Sequence, residues 1–230
     1  MTKFAIIVAG GSGTRMGKRI PKQFIEIGGK PILMHTIEKF LSYDFSLQLI
    51  LVLPASEMKA WYALCDKHEF YPPIVTVTGG NSRFQSVKNG LKRISAKDGL
   101  VAVHDGVRPF ITPEIISKGF EVAAEKGAAV TSVPLKDSIR LVNENGSNQS
   151  AERASYRLVQ TPQTFRLDWM RPAFDSPEQS FFTDCASVLN FAGRDVTLIE
   201  GAYENIKITT PEDILWAEAF LGPTSSTSAS

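Results

Sequence analysis

Basic residues and glycines crowd the start of the chain. A glycine-rich segment, 9–17, follows a short apolar run that ends at Val8, and no acidic residue precedes Glu26. The basic residues before that point are Lys3, Arg15, Lys18, Arg19 and Lys22. Glycines let backbone N–H groups approach a phosphate closely, and cations balance its charge. The pattern therefore favours a site for a nucleoside triphosphate.

Two familiar glycine motifs do not fit this segment. A dinucleotide fingerprint G-x-G-x-x-G that starts at Gly11 would need glycine where Met16 stands. A P-loop that ends on Lys18 would need glycine at Ser12 and a hydroxyl residue at Arg19. The segment therefore indicates phosphate binding of another kind.

The composition is that of a globular protein. Of the 230 residues 43% are hydrophobic and 21% are charged, and the net charge of +1 gives no reason to expect nucleic-acid binding. Cys65 and Cys185 are too few for a disulfide framework and favour free thiols in a reducing compartment. The apolar N-terminal run is too short for a signal peptide, and no stretch approaches the ~20 residues that span a membrane. We expect a soluble cytoplasmic protein.

Short apolar runs alternate with amphipathic segments along the chain. The predicted strands are Phe4–Val8, Leu49–Leu53, Ile74–Val77, Leu100–Val103, Ala128–Val133 and Val196–Ile199. The predicted helices are Pro31–Leu41, Arg83–Ile94, Thr112–Glu125, one near Thr183–Phe191 and a last one opened by Thr210 and Pro211. This alternation predicts an α/β fold: a single Rossmann-like domain over 1–222, whose mostly parallel sheet is flanked by helices.

The alternation breaks at Lys136. Asp137–Val142 and Tyr156–Gln160 are predicted as the two strands of an inserted hairpin, with a strong turn signal at 143–146. This arm, about 136–157, has few apolar residues to bury, and an isolated hairpin is marginal in water. We therefore expect it to pack on a second subunit. Residues 223–230 are small and polar, and they predict a disordered tail.

A series of motifs carries a resemblance. The glycine-rich loop followed by Pro21-Lys22-Gln23 resembles the signature of nucleotidyltransferases that activate sugar phosphates, and Pro-Lys-Gln-Phe is typical of cytidylyltransferases. Further matches follow in the same order at 79–87, 103–109, 160–163, 183–184 and 204–209. The whole set, which covers nearly everything except the tail, resembles the 2-C-methyl-D-erythritol 4-phosphate cytidylyltransferase family of isoprenoid precursor enzymes.

The resemblance implies a transfer of CMP from CTP to 2-C-methyl-D-erythritol 4-phosphate, with release of pyrophosphate. The acceptor phosphate would attack the α-phosphorus of CTP in line. A phosphate monoester with a second pKa near ~6 is already largely dianionic at pH 7, so no general base is needed. Cations are needed instead, because two anions must meet and charge grows in the transition state. A Mg²⁺ or another divalent cation bridging the triphosphate is expected.

The resemblance also assigns residues. Arg15 and Lys22 match positions that stabilise the transition state on the α-phosphate, and Arg153 and Lys207 match positions that hold the acceptor phosphate. The arm would carry Arg153 into the site of a partner subunit, which implies a homodimer with arm exchange. The positions assigned to CTP are Ala9, Gly10, Gly11, Gly13, Gly80, Arg83, Ser86 and Asp105. Those assigned to the acceptor are Asp105, Arg108, Ser138, Thr161 and Thr183, and Asp105 is also the candidate metal ligand.

Other interpretations stay open at this point. His104 is a tempting base, but the chemistry gives it no task, and we predict a structural role. Scattered aromatic residues on helical stripes, Phe40, Phe120 and Phe191, predict core packing. A ribitol 5-phosphate cytidylyltransferase shares the same motifs, and a non-catalytic nucleotide-binding module would share the nucleotide site. An NAD(P)-dependent dehydrogenase is disfavoured by Met16 and by the lack of an acidic residue at 54–55.

Overall fold

A computed structural model describes residues 1–10 and 20–222 of the chain. The strands are β1 (Lys3–Val8), β2 (Glu26–Ile27), β3 (Lys30–Pro31), β4 (Gln48–Leu53), β5 (Ile74–Thr78), β6 (Leu100–Asp105), β7 (Ala128–Pro134), β8 (Ile139–Val142), β9 (Asn148–Ala151), β10 (Arg157–Arg166) and β11 (Thr197–Glu200). The α-helices are α1 (Ile32–Tyr43), α2 (Met58–Lys67), α3 (Arg83–Lys92), α4 (Pro113–Lys126), α5 (Leu167–Asp175), α6 (Cys185–Phe191) and α7 (Pro211–Leu221).

Seven of these strands form the central sheet, in the order β11-β7-β10-β6-β1-β4-β5. β1 pairs in parallel with β4 and β6, β4 pairs in parallel with β5, and β11 pairs in parallel with β7. β10 is antiparallel to both of its neighbours, β6 and β7. The predicted α/β architecture with a mostly parallel sheet flanked by helices is therefore confirmed.

The core lies on both faces of the sheet. Successive side chains of a strand point to opposite faces, and in β1 Ala5 and Ile7 face one helical layer while Phe4 and Ile6 face the other. Residues of α1, α2 and α4 cover the first face, and residues of α3, α5 and α6 cover the second. This two-sided burial explains why β1 is an unbroken apolar run.

The hairpin arm differs from its prediction. β8 pairs with β9, so that Ile139 lies opposite Ala151, and the predicted turn at 143–146 closes the hairpin with Gly146 at φ 81°. The segment Tyr156–Gln160, predicted as the returning strand, instead runs into β10 of the central sheet. The prediction was wrong because Gln160–Phe165 is buried in the central sheet, between β6 and β7.

Some elements lack a clear local signal. The sequence interpretation omitted α2 and α5, and α5 contains Pro172, a residue that normally ends a helix. Phe40 and Phe120 are buried as predicted, but Phe191 is 51% exposed and contacts Phe181 and Phe182 at the surface. Within the described part of the chain, no helix has the length and apolar character needed to cross a membrane.

Candidate active site

A cleft opens at the carboxyl ends of β1, β4 and β6, where ligands bind in α/β sheets. It consists of three cavities that share lining residues, and Arg83 contributes to all three. The central cavity is lined by Ala9, Gly10, Lys22, Gln23, Arg83, Asp105 and Lys207, among others. The second, about 300 Å³, lies over Gly79, Gly80, Asn81 and Ser86, and the third, about 240 Å³, lies over Arg108, Thr161, Gln163 and Thr183.

Asp105 occupies the centre of the cleft among three cations. Its carboxylate lies 3.0 Å from Nζ of Lys207, 3.4 Å from Nε of Arg108 and 3.6 Å from Nη2 of Arg83. Burial opposes ionisation, but the charges of Arg83, Lys207 and Arg108 outweigh it and hold the pKa of Asp105 well below its usual range. The carboxylate is therefore ionised at neutral pH and keeps the three cations together.

Lys207 reaches the cleft from a well-anchored segment. The buried side chain of Asn205 donates to the carbonyl of Thr161 at 2.9 Å, and the carbonyl of Asn205 accepts from Nη1 of Arg108 at 2.8 Å. The amide of Ile208 donates to the carbonyl of Val107 at 3.0 Å. Anchored on both sides, Lys207 presents a side chain that is 41% exposed.

Lys22 lies at the other side of the central cavity, in a 3₁₀ turn over Lys22–Phe24. Gln23 is buried beneath it, and its Nε2 donates to the carbonyl of Ala9 at 2.9 Å. The ring of Phe24 stacks on Trp61 of α2, with 6.2 Å between the ring centroids. The turn is thus fixed to the end of β1 and to the helical layer, with Lys22 on its cleft side.

The second cavity is formed by the loop that precedes α3. A Cβ atom at Gly80 would overlap the side chain of Gln85, so this position requires glycine. The amide of Gly80 donates to Oγ of Ser86 at 3.1 Å, and Ser82 caps α3 by accepting from the amide of Gln85. The loop therefore closes on the first turn of α3, where Arg83 lies.

The side chain of Arg83, which lines the third cavity, contacts Cys185. Nη1 of Arg83 donates to Sγ of Cys185 at 3.3 Å, and burial raises the pKa of this thiol although Arg83 acts in the opposite direction. A protonated, fully buried thiol is a poor nucleophile. Cys185 therefore serves as a packing and hydrogen-bonding partner of Arg83.

His104 supports the structural role predicted for it. It is fully buried, its ring packs against Phe40, and its Nε2 donates to the carbonyl of Arg108 at 3.1 Å. Burial lowers its pKa to about 4, so the imidazole is neutral at physiological pH. It does not line the three cavities of the cleft.

Most of the described residues that the sequence singled out meet in this cleft. They are Ala9, Gly10, Lys22, Gly80, Arg83, Ser86, Asp105, Arg108, Thr161, Thr183 and Lys207. Ser138 and Arg153 do not: both are exposed at the base of the hairpin arm, and Nη1 of Arg153 donates to the carbonyl of Lys136 at 2.5 Å. Gly11, Gly13 and Arg15 lie outside the described residues, as does the predicted tail.

Sequence reasoning gave no role to three buried polar residues around the cleft, Gln23, Gln163 and Asn205. Gln163 accepts from the amides of Cys185 and Ala186, which fixes the start of α6 behind Thr183. All three lie within the motifs that carried the resemblance, so the signal was present in the sequence. Their contacts are formed with residues distant in the chain, which local patterns do not show.

A cleft lined by cations, at the carboxyl edge of a mostly parallel sheet, is typical of α/β enzymes that bind nucleotides and other phosphates. Comparison with known proteins gives the family. The model of the IspD family, 2-C-methyl-D-erythritol 4-phosphate cytidylyltransferase, matches residues 3–223, and the chain belongs to this family. Its reaction uses CTP and 2-C-methyl-D-erythritol 4-phosphate, and the acceptor implied by the sequence motifs is confirmed.

Individual relatives are similar to this chain over nearly its whole length. The chain is 47% identical to the 2-C-methyl-D-erythritol 4-phosphate cytidylyltransferase of Bacteroides thetaiotaomicron, over 96% of its own length and 100% of the relative. It is similar in structure to the 4-diphosphocytidyl-2C-methyl-D-erythritol synthase of Anaerococcus prevotii, with 30% identity, 96% of each chain covered and a TM-score of 0.82. The corresponding cytidylyltransferase of Thermus thermophilus gives 29% identity and a TM-score of 0.77, with 96% of this chain and 98% of that chain covered.

Proposed function

We propose that the cleft around Asp105 catalyses an in-line attack of the acceptor phosphate on the α-phosphorus of CTP. The observation that carries this proposal is the convergence of Lys22, Arg83 and Lys207 on one cavity. Phosphoryl-type transfers depend mainly on positioning and electrostatic stabilisation, and such cations supply both. The acceptor is already dianionic near neutral pH, so the neutral, buried His104 is not required as a base.

CTP occupies the second cavity and reaches into the central one. The loop at Gly79–Ser82 lets the nucleotide approach the backbone closely, and Ser86 and Gly10 contribute to the same wall. The triphosphate then extends towards Lys22, which together with Arg15 stabilises the charge that grows at the α-phosphate. Arg15 holds its role by resemblance, because it lies outside the described residues.

The acceptor occupies the third cavity. Lys207 and Arg108 hold its phosphate, and Thr161 and Thr183 face its polyol. Asp105 joins this cavity to the central one, because it lines both and pairs with Lys207 and Arg83. The acceptor phosphate is thus delivered beside the triphosphate.

A divalent cation fits this arrangement only with the triphosphate as its main ligand. Among residues 1–10 and 20–222, no group of three His, Cys, Asp or Glu side chains could hold a metal ion. Asp105 supplies one carboxylate, which fits the preference of Mg²⁺ for substrate phosphates with one or two protein ligands. Bound there, the cation would neutralise charge on the triphosphate.

The hairpin arm completes the site of a second subunit. β8 and β9 pair only with each other in the described sheets, and Leu141, Val142 and Leu158 expose about half or more of their surface. Exposed apolar side chains beside a hairpin favour packing against another chain. Arg153 and Ser138 lie at the base of this arm rather than in the cleft, so in a homodimer they would serve the partner's acceptor cavity.

The experiment that tests the acceptor site is pyrophosphate release by Lys207→Ala. We expect the KM for methylerythritol phosphate to rise by about tenfold or more while the KM for CTP changes little, because a charge-assisted contact is lost on one substrate. Lys118→Ala removes an exposed lysine that pairs with Glu121 on α4 and is the matched control. An unchanged KM for the acceptor, or an equal rise for both substrates, would contradict the assignment.

A further inference from the structure

Behind Lys22 lies a polar pair to which the reaction gives no task. Gln23 is 1% exposed, and its Nε2 donates both to the carbonyl of Ala9 and to a carboxylate oxygen of Glu57. Gln23 is the residue after Lys22, while Glu57 closes the 3₁₀ turn Ala55–Glu57 that follows β4. The pair therefore joins three segments: the end of β1, the Lys22 turn and the start of α2.

The backbone of Ala9 is one of the groups that Gln23 holds in place. Its amide donates to the carbonyl of Val52 at 2.9 Å, and its carbonyl accepts from Gln23 at 2.9 Å. Ala9, the residue directly after β1, is thus held from both sides, and it lines the central cavity together with Lys22. A shift of Gln23 would move Lys22 relative to this strand end.

The side chain of Glu57 is half-buried and turned towards Gln23. Glu57 lies where the 3₁₀ turn Ala55–Glu57 passes into α2, and its carboxylate accepts the hydrogen bond from Nε2 of Gln23. Burial raises the pKa of the Glu57 carboxyl, and the hydrogen bond from Gln23 acts against this rise. A partly desolvated carboxylate that accepts from a buried amide points to a role at Gln23.

We propose that Glu57 is a positioning residue for Lys22. By accepting from Gln23, it orients the side-chain amide towards the carbonyl of Ala9 and holds the Lys22 turn in register with the end of β1. Without Glu57, one buried N–H of Gln23 would lose its partner, and the amide would be free to reorient. Phe24 would still pack on Trp61, so we expect the fold to persist while the position of Lys22 loosens.

The inference rests on the role proposed for Lys22, and a double-mutant cycle separates the two. The variants are Glu57→Ala, Lys22→Ala and the double substitution, each assayed for kcat and both KM values by pyrophosphate release and for Tm. We expect Glu57→Ala to lower kcat by about tenfold, with the KM for CTP changed by less than about twofold, since a small displacement of a catalytic cation costs turnover. In the Lys22→Ala background the same substitution should change kcat by less than about twofold.

Two further variants sharpen the cycle. Glu57→Gln keeps an acceptor oxygen for Gln23 and should recover most of the lost turnover, whereas Glu57→Met keeps the length without an acceptor and should not. Glu26→Ala is the matched control, because Glu26 pairs with Lys67 at 2.6 Å and so also ties this part of the chain to α2. It should leave kcat unchanged. If Glu57→Ala lowers Tm strongly, the comparison of Glu57→Gln with Glu57→Met gives the answer instead.

The outcomes are distinct. Three results would overturn the positioning role while leaving Lys22 as a catalytic residue. They are wild-type kcat in Glu57→Ala, equal kcat in Glu57→Gln and Glu57→Met, and a double variant whose loss of kcat is the product of the two single losses. Wild-type turnover in Lys22→Ala would refute the proposed role of Lys22 and the present inference together. The positioning role is supported if Glu57→Ala lowers kcat only when Lys22 is present, and if Glu57→Gln keeps most of the wild-type kcat.

Discussion

At the scale of single residues, Asp105 has the most consequential surroundings. Its carboxylate faces Lys207, Arg108 and Arg83, all of which line the proposed substrate cavities. Before substrates bind, the carboxylate balances these cations and limits their mutual repulsion. Because the carboxylate already holds the three cations together, they need little rearrangement when substrate phosphates bind to them.

Asp105→Asn tests this organisation. The amide has nearly the same shape but carries no charge, so Arg83, Arg108 and Lys207 should repel one another and lose their alignment. We expect kcat/KM for both substrates to fall by about 10²-fold or more, and the free energy of unfolding to fall by about 2 kcal/mol. Pyrophosphate release and urea unfolding measure the two effects. Asp98→Asn, at an exposed position two residues before the same strand, is the control, and normal kinetics in Asp105→Asn would refute the role proposed for Asp105.

His104 predicts a pH dependence of stability. Its pKa in the folded chain is about 4, below the ordinary value of 6.5, so the unfolded chain takes up the proton first as the pH falls. The stability is complete above pH 6.5 and is lost towards pH 4, by up to about 3 kcal/mol. Urea unfolding in metal-free buffer should show a smaller loss in His104→Gln, which does not titrate and keeps an N–H donor. If the free energy of unfolding falls equally with pH in the wild-type protein and in His104→Gln, this account is contradicted.

At the scale of elements, sequence patterns predicted most strands that form apolar runs, whereas α5 was missed although Leu167, Met170 and Phe174 are buried, because Pro172 interrupts its pattern. β1 and β6 are buried on both faces and were predicted from their apolar runs. β10 was mistaken for part of the arm because its buried half is polar. Thr161 accepts from the amide of Asp105, and Gln163 holds the start of α6. Such partners are distant in sequence, so the pattern of β10 alone does not indicate a central strand.

The loop before α3 lines the second cavity, which we propose as the nucleotide site. Gly80→Ala should push this loop away from Gln85 and Ser86 and narrow or distort the nucleotide cavity. We expect the KM for CTP to rise by about tenfold with a smaller change for the acceptor, because only one cavity is affected. Steady-state kinetics measure both values. Ser95→Ala, in the exposed segment after α3, is the control, and an unchanged KM for CTP in Gly80→Ala would refute the assignment.

At the scale of the whole molecule, we propose that the active site is shared between two subunits. Most described residues that the motifs predicted for the site line the cleft, and several of them, such as Ala9, Gly80 and Arg83, follow a strand or start a helix at the same edge of the sheet. The pairing of β8 with β9 was not predicted, since both strands are short and exposed. Within one chain Arg153 lies outside the cleft, and in the proposed dimer arm exchange would bring it to the partner's acceptor cavity.

Mixing two impaired variants tests this sharing. At acceptor concentrations below the KM, Arg153→Ala and Lys207→Ala subunits should each show low turnover, because each lacks one cation of the proposed acceptor site. In a heterodimer, one of the two sites would combine an intact Arg153 with an intact Lys207. We therefore expect activity to return on mixing, to about half of the wild-type turnover per heterodimer, in samples whose heterodimer content is verified by differential tagging. No recovery in verified heterodimers, or a monomeric wild-type protein in sedimentation, would contradict arm exchange.

The central claim is that fixed cations, rather than a base or a covalent nucleophile, drive the transfer. The most direct measurement is the single-turnover rate of CMP transfer to methylerythritol phosphate, with both substrates saturating, in the wild-type protein and in Lys22→Ala. The account predicts that the rate falls by about 10²- to 10³-fold, as when one electrostatic stabiliser of a transition state is removed, while Tm stays unchanged. A folded Lys22→Ala protein that transfers CMP at close to the wild-type rate would contradict it.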